Sequence, residues 1–273
     1  MPAWYHGRMD SFLSGPDMPV PAILALSVLG AVLPALLLVL YFYRLDRKRP
    51  EPKRLIFKSI LFGFIAVLPA IGLEWLLEAL IPDTGHRLLD AALTGFLVAG
   101  LVEEGVKFAF VNRWFYARGE FDEVADGIVY TACVSLGFAL VENVIYSFGS
   151  FGTMIARAFT AVPMHAAASG IMGYYIGLSK RGPADQRGKG LLAAILIHGV
   201  YDFFAFSGSW LTIMVVPTVI VAAIAVRRLF RAALIADDVA AARAAALMPP
   251  ASISAVEASP RAESSIRFPD DYT

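Results

Sequence analysis

Cysteine, histidine and charge are all scarce in this chain. Cys133 is the only cysteine among 273 residues, so neither an intrachain disulfide nor a cysteine-cluster metal site can form. Four histidines are present, which leaves imidazole and carboxylate as the available metal ligands. Charged residues make up 17% of the chain, against about 25% in soluble domains. Lysine plus arginine and aspartate plus glutamate both total 23, so there is no charge excess to attract nucleic acid. No HExxH stands anywhere in the sequence, which excludes the zincin helix, and the absence of GxGD argues against an aspartyl intramembrane protease despite Tyr201-Asp202.

Apolar residues, by contrast, reach 58% and the mean hydropathy is +0.65. They fall in runs of about twenty, the length that crosses ~30 Å of hydrocarbon at ~1.5 Å per residue. The runs lie at 20–43, 55–80, 91–113, 126–148, 155–178, 191–206 and 210–230, predicting an all-α polytopic bundle of seven membrane helices. The first is too long for a signal-peptide core and reads as an uncleaved anchor. Residues 1–19 precede it, 20–230 form the membrane domain, and 231–273 read as an alanine-rich segment, expected as a short cytoplasmic helix, followed by a Ser- and Pro-rich disordered tail.

Basic residues set the orientation, because lysine and arginine are retained on the cytoplasmic side. Arg44, Arg47, Lys48, Arg49, Lys53 and Arg54 follow the first run. Arg113 and Arg118 follow the third, Lys180, Arg181, Arg187 and Lys189 the fifth, and Arg227, Arg228 and Arg231 close the seventh. The other side offers only Arg8 and Arg87, with Arg157 at its boundary. The N-terminus is therefore expected outside and the C-terminus in the cytoplasm.

An ionisable side chain inside a membrane helix costs at least about 2.5–3.5 kcal/mol on insertion scales, so each marks a candidate functional site. Here they cluster: Glu103, Glu104 and Lys107 in LVEEGVKFAF, Glu142 and Asn143 in GFALVENVIY, His165 in AVPMHAAASG, and His198 and Asp202 in ILIHGVYDFF. Counting ~1.5 Å per residue from the outer helix ends puts Glu103, Glu104, Glu142, His165, His198 and Asp202 at roughly 6–20 Å depth. All can line one cavity in the outer half of the bilayer, with Lys107 deeper. Glu103 and Glu104 lie four and three residues before Lys107 and can pair with it, leaving one carboxylate over for a proton or a metal. His198 and Asp202 share a face, where the carboxylate can fix the imidazole tautomer. Pro163 is expected to kink the fifth helix just before His165.

Plainer roles exist for each group. Glu103, Glu104 and Lys107 can form a buried structural ion pair, the histidines and Glu142–Asn143 can be interhelical hydrogen bonds, and Asp202 can sit at the interface. Glu74 and Glu78, beside Trp75, read as interfacial, Cys133 as core, and the Gly170, Gly173, Gly177 row as a close-packing face.

Two glutamates and two histidines suit peptide-bond hydrolysis, which needs a water, a base and a group to stabilise the oxyanion. In a metal version His165, His198 and one glutamate, assigned to Glu104, hold Zn²⁺, and a second glutamate takes the proton from water. In a metal-free version Glu103 or Glu104 is the base, with the histidines and Asn143 polarising the carbonyl. A Ser169–His198 dyad is a third arrangement, although AASG is one glycine short of the GxSG of rhomboid nucleophiles. A proton-coupled transporter using the same groups, and a seven-helix sensor, are the non-proteolytic alternatives.

EEGVK (Glu103 to Lys107), FALVEN (Phe138 to Asn143), His165 and HGVYD (His198 to Asp202) together resemble the PrsW family of bacterial intramembrane proteases, which are similar to CAAX-processing and bacteriocin-processing membrane proteases. The resemblance covers residues 20–230. It implies cleavage of a single-pass membrane protein such as an anti-sigma factor near the extracytoplasmic side, in a bacterial cytoplasmic membrane. It also implies Glu103, Glu104, Glu142, His165 and His198 as the catalytic or metal-binding set, supported by Lys107, Asn143 and Asp202. The family is labelled a metalloprotease whereas the CAAX-type enzymes resemble glutamate proteases, so both chemistries remain open.

Overall fold

In hydrocarbon every backbone amide must be paired within the protein, and long apolar runs satisfy this by coiling into helices. The computed structural model describes residues 20–147 and 151–247; the N-terminal segment, Phe148 and the Ser- and Pro-rich tail lie outside them. Within the described residues the regular structure is helical and contains no strand. The helices are α1 (Val20–Leu45), α2 (Lys53–Leu80), α3 (Arg87–Leu93), α4 (Leu101–Trp114), α5 (Val124–Ser147), α6 (Phe151–Phe159), α7 (Ala161–Arg181), α8 (Arg187–Phe206) and α9 (Val215–Ala246). A π-helical stretch, Thr94–Gly100, joins α3 to α4, and a 3₁₀ turn, Trp210–Met214, leads into α9.

Among the described residues four helical stretches are long and apolar enough to cross a membrane: Lys53–Leu80, Val124–Tyr146, Arg187–Phe206 and Trp210–Ala246. Of these α5 is the axis of the bundle, with 89% of its apolar window buried against 22% for α2 and α9. The outer helices turn Leu61, Phe64, Leu68, Trp75, Ile220 and Val221 outward, which is stable only against lipid or another apolar surface. Cys133 lies in the core around α5.

Small residues let the helices reach α5. A Cβ on Gly173 would collide with the Gly127 carbonyl, and one on Gly177 with the Val124 carbonyl, so α7 crosses α5 backbone to backbone. Gly63 and Gly137 allow α2 the same approach from another side. The π-helical stretch does this for α8: a Cβ at Gly95 would lie 2.8 Å from the Phe203 amide, and one at Gly100 would lie 3.0 Å from the Ile195 carbonyl. Its wide turn ends directly before Glu103 and sets the rotation at which α4 presents its carboxylates, a common position for π-bulges.

Two expectations change in detail. The run at 155–178 is broken at Thr160, which lies outside helical geometry (φ −121°, ψ −64°). Pro163 therefore sits in the first turn of α7, where its missing N–H leaves no bond unmade, and the bend occurs at Thr160 instead. The alanine-rich segment after Phe230 is a continuation of α9 rather than a separate helix, held because Asp237 accepts the Val124 and Ala125 amides at 2.8 and 3.0 Å.

Replacing Gly173 with valine is expected to destabilise the protein by about 1–3 kcal/mol or more through overpacking, read as a lower thermal unfolding midpoint in detergent. An unchanged midpoint would contradict the α5–α7 crossing.

Candidate active site

Four helices converge on one buried polar cluster. Glu103 and Glu104 stand in the first turn of α4 with Lys107 a turn later, Glu142 and Asn143 lie near the end of α5, His165 near the start of α7, and His198 and Asp202 in the second half of α8. All except Glu142 are buried outright. Helical side chains lean toward the N-terminus of their own helix, so Lys107 reaches back to the level of Glu103 and Glu104. Its ammonium is therefore in the cluster, not deeper than it.

The three ammonium hydrogens are all engaged. Lys107 Nζ donates to Glu103 Oε2 at 3.1 Å and Glu104 Oε1 at 2.9 Å, and lies 3.1 Å from His165 Nδ1. Lys107 has only donors to offer, so Nδ1 of His165 is the acceptor and Nε2 carries the ring hydrogen. That nitrogen is 2.8 Å from Glu142 Oε2. Glu142 is held in turn by Arg157 at 2.6 Å, whose guanidinium lies 3.8 Å over the Tyr146 ring. His198 has Nδ1 2.9 Å from Glu104 Oε1 and Nε2 3.2 Å from Asp202 Oδ2. Ser169 Oγ donates to Glu104 Oε2 at 2.6 Å rather than to His198, and Ser135 beside it donates to the His165 carbonyl. Asn143 is buried, and its side-chain amide has no hydrogen-bond partner among the described residues.

Charge is not balanced in this cluster. Four carboxylates, Glu103, Glu104, Glu142 and Asp202, meet two fixed cations, Lys107 and Arg157. Away from water such a surplus calls for protons or a bound cation. Glu103, His165 and His198 bring ligand atoms within 4.8 Å of one another. Glu103 Oε2 is 3.8 Å from both His165 Nδ1 and His198 Nε2. Each imidazole thus turns one nitrogen toward Glu103 and rests the other on a carboxylate, Glu142 or Glu104, as metal-bound histidines do, and on His198 the nitrogen facing Glu103 also stands 3.2 Å from Asp202 Oδ2, which competes for it. Two imidazoles and a carboxylate are a donor set that fits zinc. The trio differs in one member from the one expected from sequence: both Glu104 oxygens are occupied by Lys107, His198 and Ser169, and Glu103 takes its place. Lys107 lies 3.1 Å from two of the three ligand atoms, so ammonium and metal compete for the same lone pairs.

A family model described as PrsW family intramembrane metalloprotease matches residues 51–226, a span containing every residue of the cluster. The chain belongs to the PrsW family. It is 38% identical to Protease PrsW of Geobacillus kaustophilus over 178 residues, 64% of this chain and 77% of that protein. Against Protease PrsW of Bacillus subtilis the identity is 34% over 179 residues, covering 64% and 80%. With the Clostridioides difficile protein it is 34% over 202 residues, covering 70% and 84%. No solved structure matches the chain. Membership of the PrsW family makes the protein an intramembrane protease.

Sequence reasoning passed over Arg157, Ser135 and the π-helical turn. Arg157 carried a signal, being a lone arginine on the side otherwise poor in basic residues. Ser135, an isolated hydroxyl in an apolar run, carried none.

Lys107→Met would leave Glu103 and Glu104 buried without their cation, and a broken buried pair costs about 3–5 kcal/mol. The variant is expected to lose most of its folded yield in detergent, and Glu103→Gln added to it should recover part. Equal yields for Lys107→Met and the unchanged chain would show that the ammonium is not needed.

Proposed function

We propose that the protein hydrolyses a peptide bond of a single-pass membrane protein, such as an anti-sigma factor, near the extracytoplasmic face of a bacterial cytoplasmic membrane. The observation that carries this reading is the position of Glu103 Oε2, 3.8 Å from one nitrogen of each imidazole, with both rings held by other carboxylates. Bacterial relatives named Protease PrsW support the setting. The basic residues after α1, α4 and α7 and within α9 support an N-terminus outside and a C-terminus in the cytoplasm. Seven crossings follow if α1, the α3–α4 unit and the α6–α7 unit span with the four longer stretches, so that 20–230 form the protease domain, with 1–19 outside and 231–273 inside.

A water between Glu103, His165 and His198 meets a carboxylate and two imidazoles. Glu103 takes its proton as the oxygen attacks the scissile carbonyl, and returns it to the departing amine. Asn143, whose amide is unused, supplies a donor for the oxyanion. Glu104 and Glu142 fix the orientation of the two imidazoles, Asp202 braces His198, and Lys107 offsets the carboxylate charge. Zinc, if held by Glu103, His165 and His198, would supply Lewis acidity to the carbonyl and make water easier to deprotonate, and because a ligating Glu103 could no longer be the base, a second glutamate would take the proton.

Glu103→Gln, His165→Gln and His198→Gln are each expected to cut cleavage of a co-expressed single-pass reporter by at least about 10²-fold, with the protein still in the membrane. Glu78→Gln, at an exposed position of α2, should cleave normally. Full cleavage by all three site variants would overturn the assignment.

A further inference from the structure

A second cluster of carboxylates lies where α1, the start of α5 and the end of α9 meet, among the basic residues of the α1–α2 turn. Asp46 follows the last residue of α1 and is 1% exposed, yet neither of its side-chain oxygens receives a hydrogen bond from the described residues. Asp126, fully buried, accepts the Asp122 and Glu123 amides on Oδ2 at 2.9 and 2.7 Å and leaves Oδ1 without a donor. Glu123 pairs with Arg49 through Oε1 and leaves Oε2 without a donor. Ligand oxygens of Asp46, Glu123 and Asp126 lie within 4.8 Å of one another, the width that carboxylates around one ion of ~2.1–2.4 Å bond length can span.

The surrounding groups do not neutralise this trio. Glu51 takes the Tyr130 hydroxyl and shares a side-chain hydrogen bond with Asp126 without bringing a positive charge, and Asp237 takes the Val124 and Ala125 amides. Arg49, the one guanidinium in contact, divides itself between Glu123 and Asp238. Three carboxylates packed this closely and largely shut away from water repel one another, so a bound positive charge would be favoured there.

We propose that Asp46, Glu123 and Asp126 bind a divalent cation of the hard, oxygen-seeking class, Mg²⁺ or Ca²⁺. The donor set is oxygen alone, without imidazole or thiolate, which suits these ions rather than zinc. The ion would tie the α1–α2 turn to the first turn of α5, where Asp237 of α9 is already docked, and so clamp three distant stretches of chain at one end of the bundle. It is separate from the cluster on α4, α7 and α8 and does not depend on that site being catalytic.

Mn²⁺ is the probe, counted by electron paramagnetic resonance on the full chain in detergent, in the unchanged protein and in His165→Gln/His198→Gln, which removes the imidazoles of the other cluster. The double variant should bind about one Mn²⁺ per chain, displaced by Mg²⁺ or Ca²⁺ added separately, the more effective of the two naming the ion. Asp46→Asn or Asp126→Asn in that background should weaken binding by at least about tenfold. If neither substituted chain folds, the Mg²⁺- or Ca²⁺-displaceable fraction in the unchanged protein decides the matter. No saturable, displaceable Mn²⁺, or undiminished binding in both substituted chains, would overturn the proposal.

Discussion

A lysine shut away from water can stay charged only if its neighbours replace the water it has lost. Lys107 meets that condition with Glu103, Glu104 and His165, each about one hydrogen-bond length from its ammonium. The remaining polar contacts build on this arrangement. Because Lys107 donates to Nδ1 of His165, the other ring nitrogen must donate to Glu142, which needs Arg157. Because Lys107 holds Glu104, that carboxylate stands ready for His198 and Ser169. Such a network is stable when complete and costly when broken, which explains why α4, α5, α7 and α8 must meet at one level.

The packing around the cluster answers the same requirement. Gly127, Gly173 and Gly177 bring α7 onto α5 at backbone distance, and Gly95 and Gly100 bring the π-helical stretch onto α8. These close crossings leave little room for side-chain rearrangement, so the polar groups are held by the backbone. Between helices the surface presented to the outside is leucine, phenylalanine and tryptophan on α2 and α9. An apolar exterior around a core that shuts in one polar cluster is an arrangement that lipid, rather than water, makes stable.

Much of this was legible in the sequence. Apolar length announced the helices, and charge inside those runs singled out the residues that the structure gathers, because each effect has a cost large enough to leave few alternatives. The finer arrangement was not legible. Counting residues placed Lys107 below the carboxylates, since a count follows Cα positions and ignores the lean of the side chain. Glu103 and Glu104 are adjacent and chemically equal, and it is Ser169 and His198, reaching across from α7 and α8, that separate their tasks. The π-helical turn was invisible because seven apolar and small residues fit either helix, and the break at Thr160 because proline suits a first turn as well as a kink. Asp46 and Asp126 drew no notice in a loop and at a helix start, where carboxylates are ordinary; only their burial makes them unusual.

The central claim is the proposal that Glu103, His165 and His198 hold zinc and activate water as one unit. Zinc content of the purified full chain, measured by mass spectrometry beside reporter cleavage before and after chelation, tests it most directly. The account predicts about one zinc per chain, removed together with cleavage, restored with it, and missing from the His165→Gln/His198→Gln chain. Undiminished cleavage by the zinc-free protein, or zinc retained at full stoichiometry without the two histidines, would contradict it.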